Sequence, residues 1–221
     1  MVNLDQFKFF LKQRLVGFDV PSSPHFDSDL STEWFATRLR SSRRYLEYGS
    51  GGSTYLAAKL GVSFITVDSD PYFLKSVRKK IQRDGLARDS IQTFQYADIG
   101  LTEHYGRPFR EWRASARRLS KFRRYSDPPP RCYEGATLPD LVLVDGRFRV
   151  ACALKALKML RSERDWMIVV DDYVGRPEYG TIAEFAELDQ FVGRMAVFTG
   201  AKSTNPEQLE RAIARYETTS L

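Results

Sequence analysis

The chain has 221 residues, 43% of them hydrophobic and 28% charged, with a formal net charge of +6. That is enough for one domain with a well-buried core, and the composition is ordinary for a soluble globular protein. No apolar run approaches the roughly 18–20 residues needed to cross a bilayer, the start lacks the pattern of a signal peptide, and Cys132 and Cys152 have neither metal nor redox spacing. A cytoplasmic setting is expected, and the positive charge permits an anionic partner without requiring one.

Residues 1–16 are predicted helical, with Leu4, Phe7, Leu11 and Leu15 on one face. Pro21 and Pro24 break the chain. A second helix opens near Trp34 with Ser31 or Thr32 as its cap. These elements make an N-terminal helical segment over 1–40 that packs on the sheet or covers a ligand cleft.

Strands and helices then alternate. Strands are predicted near 44–48, 63–67, 91–95, 140–145, 166–171, 187–192 and 194–199. Helices are predicted near 53–60, 71–84, 148–161, 178–186 and 206–216. Such alternation argues an α/β fold with a doubly wound, mostly parallel sheet. Only Gly193 separates the last two strands, too short a link for a parallel crossover, so the sheet should end in an antiparallel hairpin.

Residues 101–139 break the rhythm. Arg110, Arg113, Arg117, Lys121 and Arg124 recur at three- and four-residue steps, and Phe109, Trp112, Ala116 and Leu119 form a second stripe. A basic amphipathic helix is expected there, ended by Asp127-Pro128-Pro129-Pro130. It reads as a lid-like insert in a single domain, although an arginine face could also track a phosphate backbone.

The chemistry is concentrated at the first strand. Arg44-Tyr45-Leu46-Glu47-Tyr48-Gly49-Ser50-Gly51-Gly52-Ser53-Thr54 is a strand, a glycine turn and the start of a helix. Glycines let the backbone approach a ligand closely. The next strand ends on Asp68, about 20 residues on, where an acid can take ribose hydroxyls. A phosphate loop would need Gly-Lys-Ser/Thr at its end, and no lysine occurs until Lys59. A dinucleotide fingerprint fits only in part, since Thr54 stands at its third glycine. A carboxylate immediately before the turn would repel a pyrophosphate but suits a cationic ligand.

This segment resembles motif I of the class I S-adenosylmethionine-dependent methyltransferases, and the resemblance spans roughly residues 43 to 200. It implies their seven-stranded sheet with a C-terminal hairpin. It assigns the cofactor to Glu47, Gly49, Ser50, Gly51, Asp68, Ser69 and Asp98. Asp145, Asp171 and Asp172 resemble the acids that hold magnesium in catechol-type and macrocin-type O-methyltransferases. Asp145-Gly146-Arg147-Phe148-Arg149 departs from that pattern, and Arg147, Arg149 and Arg176 compete with a metal for the same carboxylates. Asp145 is the candidate base or acceptor-orienting residue, with Tyr173 beside the substrate. The implied activity is methyl transfer to oxygen or nitrogen of a small or conjugated acceptor. Two alternatives stay open: RNA methylation through the insert, and a cofactor-binding regulatory protein without turnover.

Overall fold

Seven strands form one sheet in the order β3-β2-β1-β4-β5-β7-β6 in the computed structural model, which describes residues 4–135 and 137–220. They are β1 (Arg44–Tyr48), β2 (Ser63–Asp68), β3 (Gln92–Tyr96), β4 (Leu141–Val144), β5 (Met167–Val170), β6 (Ala186–Val192) and β7 (Met195–Ala201). The first five pair in parallel, and β7 runs antiparallel to both β5 and β6. The expected sheet and its terminal hairpin are therefore both present, with strand limits within two residues of the predicted ones.

Strand alternation sends successive side chains to opposite faces. In β1, Leu46 and Tyr48 join Val142, Val144, Ile168 and Val170 in one core layer. That layer is closed by α5 (Ala116–Tyr125), α6 (Arg149–Leu160) and α8 (Pro206–Tyr216). Tyr45, Phe64, Leu143 and Val169 face the other way, under α2 (Asp29–Ser41), α3 (Gly52–Leu60) and α4 (Pro71–Arg83). Each such fully buried side chain contributes about 1.5–3 kcal/mol, which fixes the register of β1 at the centre. A short helix, α7 (Gly180–Phe185), precedes β6, and α1 (Leu4–Leu15) lies against α4.

Helix limits follow local chemistry. Asp70 caps α4, accepting from the backbone N–H groups of Tyr72 and Phe73 at 2.9 and 3.1 Å, with Pro71 at the first helical position. Asn205 and Pro206 do the same for α8. The cap of α2 is Ser28, not Ser31 or Thr32: its hydroxyl takes the N–H of Ser31, whose own hydroxyl donates to Asp27.

Two expectations hold only in part. On α1, Leu11 and Leu15 are exposed and, among the described residues, Phe9 and Gln13 are buried; the side chains of residues 4–7, Leu4 and Phe7 included, lie outside the described residues. Phe9 stacks on His104 at 4.1 Å and Gln13 donates to the Asp70 carboxylate, so the partner surface, not apolar periodicity, selected the face. In the insert, the expected basic helix forms and stops before Asp127, but it starts only at Ala116. Arg110 takes a left-handed conformation (φ 50°), two 3-10 turns cover His104–Gly106 and Glu111–Arg113, and Ser115 caps the ten-residue α5. The side chain of Trp112 lies outside the described residues.

Arg117, Lys121 and Arg124 keep their helical steps on α5, whereas Arg110 and Arg113 fall outside it, and basic residues of the insert are tied down. Lys121 pairs with Asp98, and Arg123 with Glu217 at 3.1 Å. Arg118 turns inward and donates to the carbonyls of Ile99, Leu101 and Phe109. Phe122, Tyr125 and Cys132 are fully buried, so the insert is rooted in the core. Among the described residues, no helix is long and apolar enough to cross a membrane.

Candidate active site

The carboxyl ends of β1, β2, β4 and β5 meet at one rim, where open α/β sheets take their ligands. Gly49 leaves β1 with φ 100°, and a Cβ there would lie 2.7–2.9 Å from the backbone of Asp145 and Gly146. Only glycine permits the β1 and β4 loops to touch in this way. Gly146 is equally constrained: a Cβ would stand 2.3 Å from the Tyr125 hydroxyl, which accepts from the N–H of Arg147. Gly51 differs from both. Its Cβ would meet nothing within 4 Å, so the turn fronts open space.

Glu47 braces this turn from beneath. It is completely buried, and its carboxylate accepts from the hydroxyls of Tyr45 (2.8 Å), Ser53 (2.6 Å) and Thr54. Thr54 in turn accepts from the N–H of Gly51 at 2.9 Å. Burial pushes Glu47 up to about 6, against the pull of those donors.

Asp68 holds the turn from the side. Its carboxylate accepts from the N–H and hydroxyl of Ser50 at 2.9 and 2.6 Å, and from the N–H of Asp70 at 2.7 Å. Burial raises it as well, to about 6. A carboxylate has about four acceptor positions, so one remains beyond these three. Ser69 is buried, and its hydroxyl donates to the carbonyl of Gly106 at 3.0 Å. Asp98 stands exposed at the end of β3. Its hydrogen bond from Lys121 holds it below the usual carboxylate range.

At β4 and β5 the structure corrects the metal assignment. Among the described residues, no group of three or more His, Cys, Asp or Glu is arranged to hold a metal ion. Asp145, Asp171 and Asp172 do converge, but around a guanidinium. Arg149, 5% exposed, reaches Asp145 at 2.9 Å, Asp172 at 3.5 Å and Asp171 at 3.9 Å. It also donates to the carbonyls of Gly146, Asp145 and Asp171. Arg194 and Arg176 reach Asp172 from outside, at 3.0 and 3.5 Å. A magnesium ion would have to share those carboxylates with the guanidinium groups of Arg149, Arg176 and Arg194, whose fixed charges already sit among them, so the donor set does not fit the metal.

The proton state of this cluster is uneven. Asp171 is pushed up to about 7, first by burial and then by the neighbouring Asp145; its Oδ1 is buried without a hydrogen-bond partner. Desolvation raises Asp145 too, opposed by Arg149. Asp145 is nevertheless the most open member of the trio, its side chain 37% exposed. Tyr173 follows Asp172, and its N–H donates to the carbonyl of Arg194 at 2.8 Å. Its ring packs against Tyr179, Phe191 and Phe198 at centroid distances of 5.8–6.2 Å.

Sequence reasoning named Glu47, Asp68 and Asp145 and weighed Arg149 as a competitor for the acids. It did not foresee Arg194, which comes from the hairpin turn, nor Tyr125 behind Gly146. The four-residue spacing of Asp145 and Arg149 was the available signal for that pair.

Strand order, reversed last strand and glycine turn together define the fold of the class I S-adenosylmethionine-dependent methyltransferases, and this chain has that fold. A methyltransferase-like protein from Silicibacter pomeroyi DSS-3 superposes on it with a TM-score of 0.71 at 29% identity, over 91% of this chain and 100% of its own. An O-methyltransferase from Bacillus cereus, solved in complex with SAH, gives a TM-score of 0.49 at 16% identity, over 87% of this chain and 96% of its own. No family profile and no curated protein sequence matches the chain.

Proposed function

We propose that the protein transfers a methyl group from S-adenosylmethionine to an oxygen or nitrogen of a small or conjugated acceptor, without a metal ion. The observation that carries this reading is the glycine turn itself, where a Cβ on Gly51 would meet nothing within 4 Å and the neighbouring Ser50 is held by the buried carboxylate of Asp68. The likeness to a methyltransferase-like protein supports it.

The residues present fit an S-adenosyl ligand. Gly49, Ser50 and Gly51 would carry it on backbone, Asp68 would take its ribose hydroxyls, and Ser69 and Asp98 would border the adenine side. Glu47 would act through the turn that it braces. The ligand supplies a methyl group already activated by sulfonium. What remains for the protein is chiefly to hold the acceptor close and aligned, an effect that can contribute roughly 7–11 kcal/mol. Asp145, partly exposed and tethered by Arg149, would orient the acceptor and receive its proton. Tyr173 would line the acceptor side through its aromatic cluster.

Calorimetric titration with S-adenosylhomocysteine tests the reading. Wild type should bind it, and Asp68→Ala should bind at least about tenfold more weakly, because a buried charge-assisted contact is lost. Equal affinities would remove Asp68 from the ribose; no heat with wild type would remove the methyltransferase reading altogether.

A further inference from the structure

Arg149 stands where electrostatics alone would not put it. It is the first residue of α6, at the positive end of the helix dipole, and it is buried. A cation there is disfavoured twice, by the dipole and by desolvation. The residue before it, Phe148, adopts a left-handed conformation (φ 54°), as does Asp172 (φ 53°). Two strained side-chain-bearing residues at the ends of β4 and β5 mark a site whose geometry is imposed by its contents.

Those contents are complementary. The planar fork of Arg149 donates to three main-chain carbonyls and to Asp145 Oδ1, and it faces Asp171 and Asp172 at ion-pair distance. Carbonyl and carboxylate oxygens converging on one positive centre are the donor set that a hard divalent cation would choose. Here the positive centre is part of the chain.

We propose that Arg149 is a positioning residue that does the electrostatic work of a divalent ion, holding Asp145, Asp171 and Asp172 together so that the centre neither needs nor binds metal. Only the effect of Asp145 on an acceptor rests on the methyl-transfer reading. The charge substitution stands on the contacts themselves.

Manganese uptake, followed by the loss of the free-ion signal in electron paramagnetic resonance, tests it without any S-adenosyl compound. Wild type should leave the signal unchanged. Arg149→Ala should melt roughly 10 °C lower in metal-free buffer. That variant should also take up manganese at least about tenfold more tightly than wild type and regain part of its melting temperature on binding. Arg149→Lys, which keeps a charge, should take up none.

Stoichiometric uptake by wild type that disappears in Asp171→Asn would overturn the proposal. So would a folded Arg149→Ala that binds manganese no better than wild type. If Arg149→Ala is insoluble, Arg149→Gln is titrated in its place and judged by the same criterion. The wild-type titration decides by itself whether metal is resident. Because the readout contains no nucleoside, its failure would leave the S-adenosylhomocysteine titration intact, and the converse also holds.

Discussion

Glu47 and Asp68 are ionisable groups surrounded by hydroxyl and amide donors rather than by cations. Both have folded-state values near 6, above those of exposed carboxyls. The folded protein therefore holds these protons more tightly than the unfolded chain. Their stabilising effect is complete below about pH 4 and is lost as the pH rises through 6. Asp171, at about 7, acts in the same sense. Asp84, held near 2 by the Tyr55 hydroxyl and by Arg83 and Lys80, acts in the opposite sense, but only in stronger acid. The melting temperature of the ligand-free protein should thus rise when the pH falls from about 7.5 to 5.5. In Glu47→Gln the rise over that range should shrink by the equivalent of roughly 0.8 kcal/mol, because most of the proton uptake linked to Glu47 lies below pH 5.5. Calorimetric scans across that range check it, and an unchanged slope in the variant would show that Glu47 does not titrate there.

At the scale of elements, α5 separates what a sequence displays from what a fold uses. Its arginines recur visibly at helical steps, yet Phe122 and Tyr125 anchor it. Phe122→Ala should destabilise by roughly 3–5 kcal/mol in urea unfolding, whereas the exposed Arg117→Ala should change stability by less than about 0.5 kcal/mol. Similar costs for the two would mean that α5 is a detachable cover. The strands, by contrast, were legible: β1 begins and ends where its apolar run does, and Asp68 falls where the glycine-turn spacing puts it. Neither the break at Arg110 nor the buried face of α1 was legible. Both depend on surfaces supplied from elsewhere, such as the Asp70 carboxylate that receives Gln13. The rim acids could be named from strand ends, but their common partner could not. Convergence on Arg149 is set by how β4 and β5 lie side by side, joined by the Asp171 N–H on the Val144 carbonyl.

Across the whole molecule, the connector between α1 and α2 ties distant parts together. A Cβ on Gly52, the first residue of α3, would lie 2.0 Å from the carbonyl oxygen of Ser23. In the β6–β7 turn, a Cβ on Gly193 would meet the Asp27 side chain at 2.3 Å. The glycine-turn helix and the terminal hairpin are thus both clamped by one stretch of chain. Gly52→Ala cannot be relieved by a side-chain rotation, because the obstacle is backbone. It should cost roughly 1–3 kcal/mol of stability. It should also weaken S-adenosylhomocysteine binding, though residue 52 itself need not touch the ligand; a variant with wild-type stability and affinity would show that the connector yields freely.

The guanidinium at the root of α6 has one more consequence. An ion borrowed from solution can be stripped by chelators, replaced by a competitor of similar size, or starved by scarcity. A charge covalently attached to the polypeptide has no dissociation constant and no rival. On the charge substitution proposed for Arg149, the readiness of this centre is settled when the chain folds and does not follow the supply of magnesium around it.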